Sequence, residues 1–161
     1  MSAERSESMN ASTADREIVN TRVFDAPREL VYEAFTNPKH VAQWWGPRGF
    51  TNTIHEMDVR PGGVWRLTMH GPDGTDYPNR IDFIEVVKAE RLVYTHGDGL
   101  EDGRNHFHVT VTFTEEGGKT TLTMRSIFPT AEERDHVVRE YGAIEGGRET
   151  LARLAEYLPR M

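Results

Sequence analysis

The chain contains no cysteine. That excludes a disulfide framework, thiolate nucleophiles and thiolate metal ligands. No apolar run approaches the roughly 20 residues of a membrane-spanning helix. The N-terminus carries no charged-then-apolar leader, so the expectation is a cytoplasmic protein. Positive charge is scarce as well: 19 Lys and Arg against 26 Asp and Glu leave a net charge of −7, with no dense basic cluster. Nucleic acid is therefore a poor partner. The catalytic signatures GxSxG, P-loop, HExxH and GxGxxG after a strand are all missing. Pro61-Gly62-Gly63 is a hairpin turn rather than a phosphate cradle, because no helix follows it. Neither a metal nor a cofactor is expected.

What is present is a chain of 161 residues with 37% hydrophobic content. This suits one domain with a real core. Residues 1–15 (MSAERSESMNASTAD) are rich in Ser, Ala and Glu and are expected to be a disordered tail. Either Met1 or Met9 is compatible with being the native start. Residues 16–161 are expected to form a single domain.

The chain then reads as strand, two short helices, six strands and a long helix. Glu17 to Phe24 is the first strand. Asp25 is a candidate N-cap for a helix from Pro27 to Phe35, and Asn37-Pro38 opens a second one through Val41 to Trp45. Trp44-Trp45 reads as a plug at one end of the sheet. Strands follow at Phe50 to Val59, Val64 to His70, Arg80 to Val87, Arg91 to His96 and Phe107 to Phe113, and a last strand carries Leu122, Met124, Ser126 and Phe128. GDGLEDGRN (Gly97 to Asn105) is a polar loop. Trp65, Leu67 and Met69 alternate with polar residues, as do Phe107, Val109, Val111 and Phe113, so each set marks an inward face. Strands joined by such short turns must be antiparallel.

The long helix is predicted over Ala131 to Leu158. Val137, Tyr141, Ile144, Leu151, Ala155 and Leu158 share one face, while Arg139, Glu145, Glu149, Arg153 and Glu156 lie opposite. Thr130 is the expected N-cap and Pro159 the stop. Glu140 falls in the sector of Ile144, with Gly147 one turn on. A carboxylate and a missing side chain there suggest space beneath. The alternative is that Glu140 sits at an edge and Gly147 permits close packing on a strand.

Seven histidines are scattered through the chain. His106 and His108 have ligand-like spacing on a strand but alternate opposite Phe107 and Val109, so both should face solvent. His96, at the end of a strand, and His136, on the long helix, are better candidates for a pocket rim. His136 and Glu140 are one helical turn apart, as a surface ion pair or as a general acid and base.

At this point the chain resembles a known group. The order of elements looks like the helix-grip fold of the SRPBCC superfamily, which includes START lipid-transfer and birch-pollen-allergen-like proteins. The motifs TRVFDAPRELVYEAFTNPKHVAQWWGP (Thr21 to Pro47), DVRPGGVWRLTMHGPDG (Asp58 to Gly74), ERLVYTHGD (Glu90 to Asp98) and LARLAEYL (Leu151 to Leu158) are similar to the subfamily of the C-terminal domain of the heat-shock-protein-90 ATPase activator. The fold class implied is α+β, with a curved antiparallel sheet wrapped around a long C-terminal helix. The resemblance also implies a cavity between them, lined by Trp45, Trp65, Leu67, Met69, Phe83, Tyr94, Phe107, Val109, Met124, Glu140, Tyr141 and Ile144, with His96 at its rim. Each of these large side chains can instead be simple core. The leading functional expectation is a binder of a small apolar or amphipathic molecule. The alternatives are a cyclase- or hydratase-type enzyme using Glu140, His96 or Tyr94, and a chaperone-regulating domain with a protein partner.

Overall fold

The computed structural model describes residues 13–97 and 107–161. They form β1 (Glu17–Phe24), α1 (Arg28–Thr36), α2 (Pro38–Trp44), β2 (Thr51–Met57), β3 (Val64–His70), β4 (Asp76–Val87), β5 (Arg91–Gly97), β6 (Phe107–Glu116), β7 (Lys119–Ile127), α3 (Ala131–Tyr141) and α4 (Ala143–Tyr157), then a 3-10 helix at Leu158–Arg160. The expected tail lies outside the described residues up to position 12. Thr13 is described, and its hydroxyl donates to Glu17 at 2.8 Å. His106 and all of the Gly97 to Asn105 loop except Gly97 also lie outside the described residues.

The strands make one antiparallel sheet in the order β1-β7-β6-β5-β4-β3-β2. β1 leaves through the two short helices, and β7 returns beside it, with Phe24 opposite Thr120. The sheet stays open, with β1 and β2 as its edges. Register shifts between Ile54 and Glu56 and between Phe83 and Glu85 add bulges, which bend and twist a sheet. The result is the expected helix-grip architecture: a curved antiparallel sheet, short helices and a long C-terminal helix.

Several boundaries moved for physical reasons. β4 begins at Asp76 despite Pro78, which pairs with Thr68 of β3; among the described residues, pairing with β5 starts at Arg80. Asp25 does not cap α1. Pro27 is the N-cap, extended at φ −68° and ψ 153°, and the first helical N–H, that of Arg28, donates to the Glu115 carboxylate on β6 at 2.8 Å. Asn37 does cap α2, accepting from the Lys39 N–H at 2.9 Å.

The single helix predicted over Ala131 to Leu158 is two helices. Gly142 separates them in the left-handed conformation, φ +59° and ψ 43°. A Cβ there would meet nothing within 4 Å, so glycine is required by conformation and not by space. α3 buries none of its residues, whereas α4 buries Thr150, Leu151 and Leu154.

Candidate functional site

The concave face of the sheet is an aromatic and aliphatic floor. Strand alternation aims Trp65 and Leu67 of β3, Phe83 of β4, Tyr94 of β5 and Val109 and Val111 of β6 inward, each at most 3% exposed. One end of this floor is sealed by α1 and α2. Phe35 packs edge-on against Trp44, Trp45 and Phe113, with ring centroids 5.4, 5.5 and 6.1 Å away. Trp45 continues inward to Trp65, 5.0 Å centroid to centroid.

The other end is half-buried rather than sealed. His96 and Phe107 lie there, both half-buried; Met69, Met124 and Ile144 have similar partial exposure, with Met69 beside Gly46 in the α2–β2 connection. His96, Phe107 and Phe128 form a run of stacked rings, with centroids 4.9 and 4.7 Å apart. The His96 Nε2 meets Asn79 Oδ1 at 2.7 Å.

α4 spans the curve of the sheet, and its two glycines set how close it comes. A Cβ on Gly146 would lie 3.3 Å from Pro47 in the α2–β2 connection, and one on Gly147 would lie 2.3 Å from Asn20 Oδ1 on β1. Gly147 thus permits close packing against a strand; the space expected beneath it is filled by Asn20. Arg153, expected on the outer face, is half-buried and donates to the carbonyls of Trp45, Gly46 and Pro47 at 3.2, 3.0 and 3.0 Å. Carbonyls at a helix C-terminus have no partners within the helix, and a cation suits that site. Burial pulls the Arg153 guanidinium below its ordinary pKa.

Polar atoms on the floor are few. Trp44 is satisfied: its indole N–H donates to Ala34 O at 3.0 Å. Trp65 is fully buried, and its Nε1–H has no partner. Asn52 on β2 donates its amide N–H groups to Trp45 O at 2.8 Å and Ala42 O at 3.3 Å, which fixes the orientation of the amide and leaves Oδ1 buried without a partner. Each such orphaned group costs about 1–3 kcal/mol. Burial alone pushes the Tyr94 phenol well above its ordinary pKa.

Of the residues read from sequence, Trp45, Trp65, Leu67, Phe83, Tyr94 and Val109 are buried, and Met69, His96, Phe107, Met124 and Ile144 are half-buried. Glu140 and Tyr141 do not join them. Glu140 is exposed and Tyr141 is 66% exposed. The inward sector assigned to them assumed helical phase running through Gly142, where the chain instead turns. His136 is exposed too, its ring 6.0 Å from that of Tyr141. Sequence reasoning missed Asn52, Asn79 and Asn20. The available signal was an asparagine on the inward phase of a strand, as Asn20 is with Ile18. Two surface clefts, of about 490 Å³ beside Arg28, Glu90 and Arg91 and about 180 Å³ beside Arg48, Arg153 and Glu156, lie apart from the floor. Among the described residues no cluster of three or more His, Asp or Glu is placed to hold a metal, and no helix is long and apolar enough to cross a membrane.

Residues 25–159 match the family model described as "Activator of Hsp90 ATPase homolog 1-like protein". Solved structures share the fold. A protein of Arthrobacter aurescens is 25% identical, with a TM-score of 0.83 over 92% of this chain and 89% of its own. A protein of Mycobacterium smegmatis is 26% identical, with a TM-score of 0.80 over 89% and 91%. A protein of Chromobacterium violaceum is 26% identical, with a TM-score of 0.77 over 89% and 96%. No curated protein matches the chain.

Proposed function

The chain belongs to the SRPBCC helix-grip superfamily, through the family described as activator of Hsp90 ATPase homolog 1-like proteins, and from that premise we propose that it binds a small apolar or amphipathic molecule between the concave face and the C-terminal helices. The observation that carries this reading is the continuity of the floor: fully buried Trp65, Phe83 and Tyr94 continue along the same sheet to half-buried Met69, Phe107 and Met124. An apolar wall with a few polar handles is how small molecules are held. Trp65, Leu67, Phe83, Tyr94 and Val109 form the floor of the site, Trp45 its inner end, and Met69, His96, Phe107, Met124 and Ile144 its opening. The site of action is the cytoplasm.

The catalytic alternative loses its acid–base pair, since Glu140 and His136 are exposed and His96 is engaged with Asn79. Regulation of a chaperone ATPase rests on the family description alone. Native mass spectrometry of the protein purified from its own host tests the reading. The expected spectrum shows a dissociable small-molecule adduct that disappears when Met69→Trp fills the opening. A bare chain, with an apolar fluorescent dye excluded from the floor, would overturn it.

A further inference from the structure

We propose that the cleft between the end of α2 and the end of α4 binds the dianionic head of a small soluble phosphate monoester, with Arg48 and Arg160 as its ligands and Glu156 as the internal carboxylate it displaces. The site lies apart from the concave face, so it stands or falls independently of the binding reading above. The cleft has a volume of about 180 Å³ and is lined by Gln43, Arg48, Arg153, Glu156, Tyr157 and Arg160. That holds a phosphate and a few further atoms, and is below the roughly 300–1,000 Å³ of sites for drug-sized ligands. Arg153, Glu156 and Tyr157 share one face of α4, and the 3-10 helix that follows adds Arg160. Gln43 and Arg48 arrive from α2 and the connection after it. Three guanidinium groups and one carboxylate therefore meet in one cleft, on a chain whose net charge is −7.

The three arginines are engaged differently. Arg153 is committed to the carbonyls of Gln43, Trp45, Gly46 and Pro47. It thereby neutralises the negative end of a helix that would otherwise repel an anion. Arg48 grips Glu156 with both terminal nitrogens, at 3.2 and 2.6 Å, while its backbone N–H donates to Glu149 at 3.1 Å. Arg160 makes no hydrogen bond or ion pair of its own among the described residues. The hydrogen bonds from Arg48, with the charges of Arg160 and Arg153 beyond, hold the Glu156 carboxyl below its ordinary pKa. One carboxylate thus answers to all three cations. The Arg48–Glu156 pair is about half exposed, 52% and 55%, and exposed pairs of this kind contribute little to stability. Exchanging Glu156 for a better anion therefore costs the fold little. A phosphate monoester is that better anion, because it carries close to two charges and three strong acceptor oxygens, which suit the arginine fork. The Tyr157 ring forms a wall, its hydroxyl held by His40 Nδ1 at 2.7 Å.

The test is a titration of the full-length ¹⁵N-labelled protein with phenyl phosphate and with phenyl sulfate, a singly charged probe of the same shape. It is run at about pH 8, where the phosphate is doubly charged, and at matched ionic strength, so that screening is equal. The Arg48 and Arg160 Nε–H resonances are expected to shift saturably with the phosphate, which should bind at least about fivefold tighter than the sulfate. Arg48→Gln and Arg160→Gln should each weaken it at least about fivefold, whereas Glu156→Gln should tighten it at least about threefold by removing the competitor. These side chains are exposed, so the variants are expected to fold normally. Glu145→Gln removes the same charge from the same helix outside the cleft, and should change nothing. If Glu145→Gln tightens binding as much as Glu156→Gln, the effect is net charge alone and the proposal fails. It fails equally if Glu156→Gln leaves binding unchanged or weaker, if ester and sulfate bind alike, or if the shifts rise linearly and spread over Arg148 and other surface arginines. Vesicles containing phosphatidate are expected not to retain the protein; retention without binding of phenyl phosphate would also overturn the assignment.

Discussion

The two ends of the concave face are made of the same kinds of residue and are built differently. At the α1–α2 end, Trp44, Phe35 and Val31 are at most 1% exposed, aromatic rings meet edge to face, and the indole donor of Trp44 is paired. At the other end, His96 and Phe107 are half-buried, and α3, which buries none of its residues, is joined to α4 through a left-handed glycine. The first end supplies stability. The second leaves apolar surface partly uncovered, which a protein does only at some cost. Stability is not uniform across a structure, and regions that admit ligands are drawn from the less stable part. The contrast teaches that aromatic content alone does not mark a site here. What distinguishes the two ends is how completely the same kinds of side chain are buried.

The largest effect should come from the sealed end. Trp44→Ala removes a fully buried ring and its hydrogen bond, and should cost about 3–5 kcal/mol in denaturant unfolding. A cost near zero would erase the distinction between the ends.

Next comes the junction of the two regions, where α4 crosses β1. Gly147→Leu should cost about 1–3 kcal/mol, because Asn20 already occupies the space. Thermal unfolding checks this. A variant at least as stable as the parent would show that a void lies under the helix after all.

The pH dependence should report the middle of the floor. Tyr94 has its folded pKa raised above the ordinary 10.0. Below 10 the phenol is protonated in both states and contributes no pH dependence. Above it the unfolded chain ionises first, so stability falls as pH rises past about 10. Thermal melts between pH 8.5 and 11 should show this decline, and Tyr94→Phe should make it shallower. An unchanged slope would place the Tyr94 hydroxyl in contact with water.

The smallest effects belong to α3. Glu140→Gln and Tyr141→Ala change exposed side chains and should lie within about 0.5 kcal/mol of neutral. A loss above 1 kcal/mol from either would mean that α3 docks more firmly than its exposure indicates.

Much of this molecule was determined locally and could be read from the chain itself. Val109 and Val111 alternate with polar neighbours and are buried, and His108 between them is exposed, because the two-residue period of a strand is a property of the backbone. β1 and β3 have the boundaries read from sequence, and the order of elements, the antiparallel pairing and the helix-grip class follow from short turns and a closing helix. Other features required the tertiary structure. A glycine within a helical pattern reads as a tolerated weak point, and only the observed left-handed Gly142 shows that it ends one helix and begins another, which turned Glu140 and Tyr141 outward. Arg153 looked like a solvent-facing residue until α4 was placed against the carbonyls that end α2. Whether Trp65 and Asn52 have partners was undetermined for the same reason. Hydrogen-bond satisfaction in this fold depends on which distant strand or loop arrives within 3 Å, and residue type and spacing carry no information about that distance.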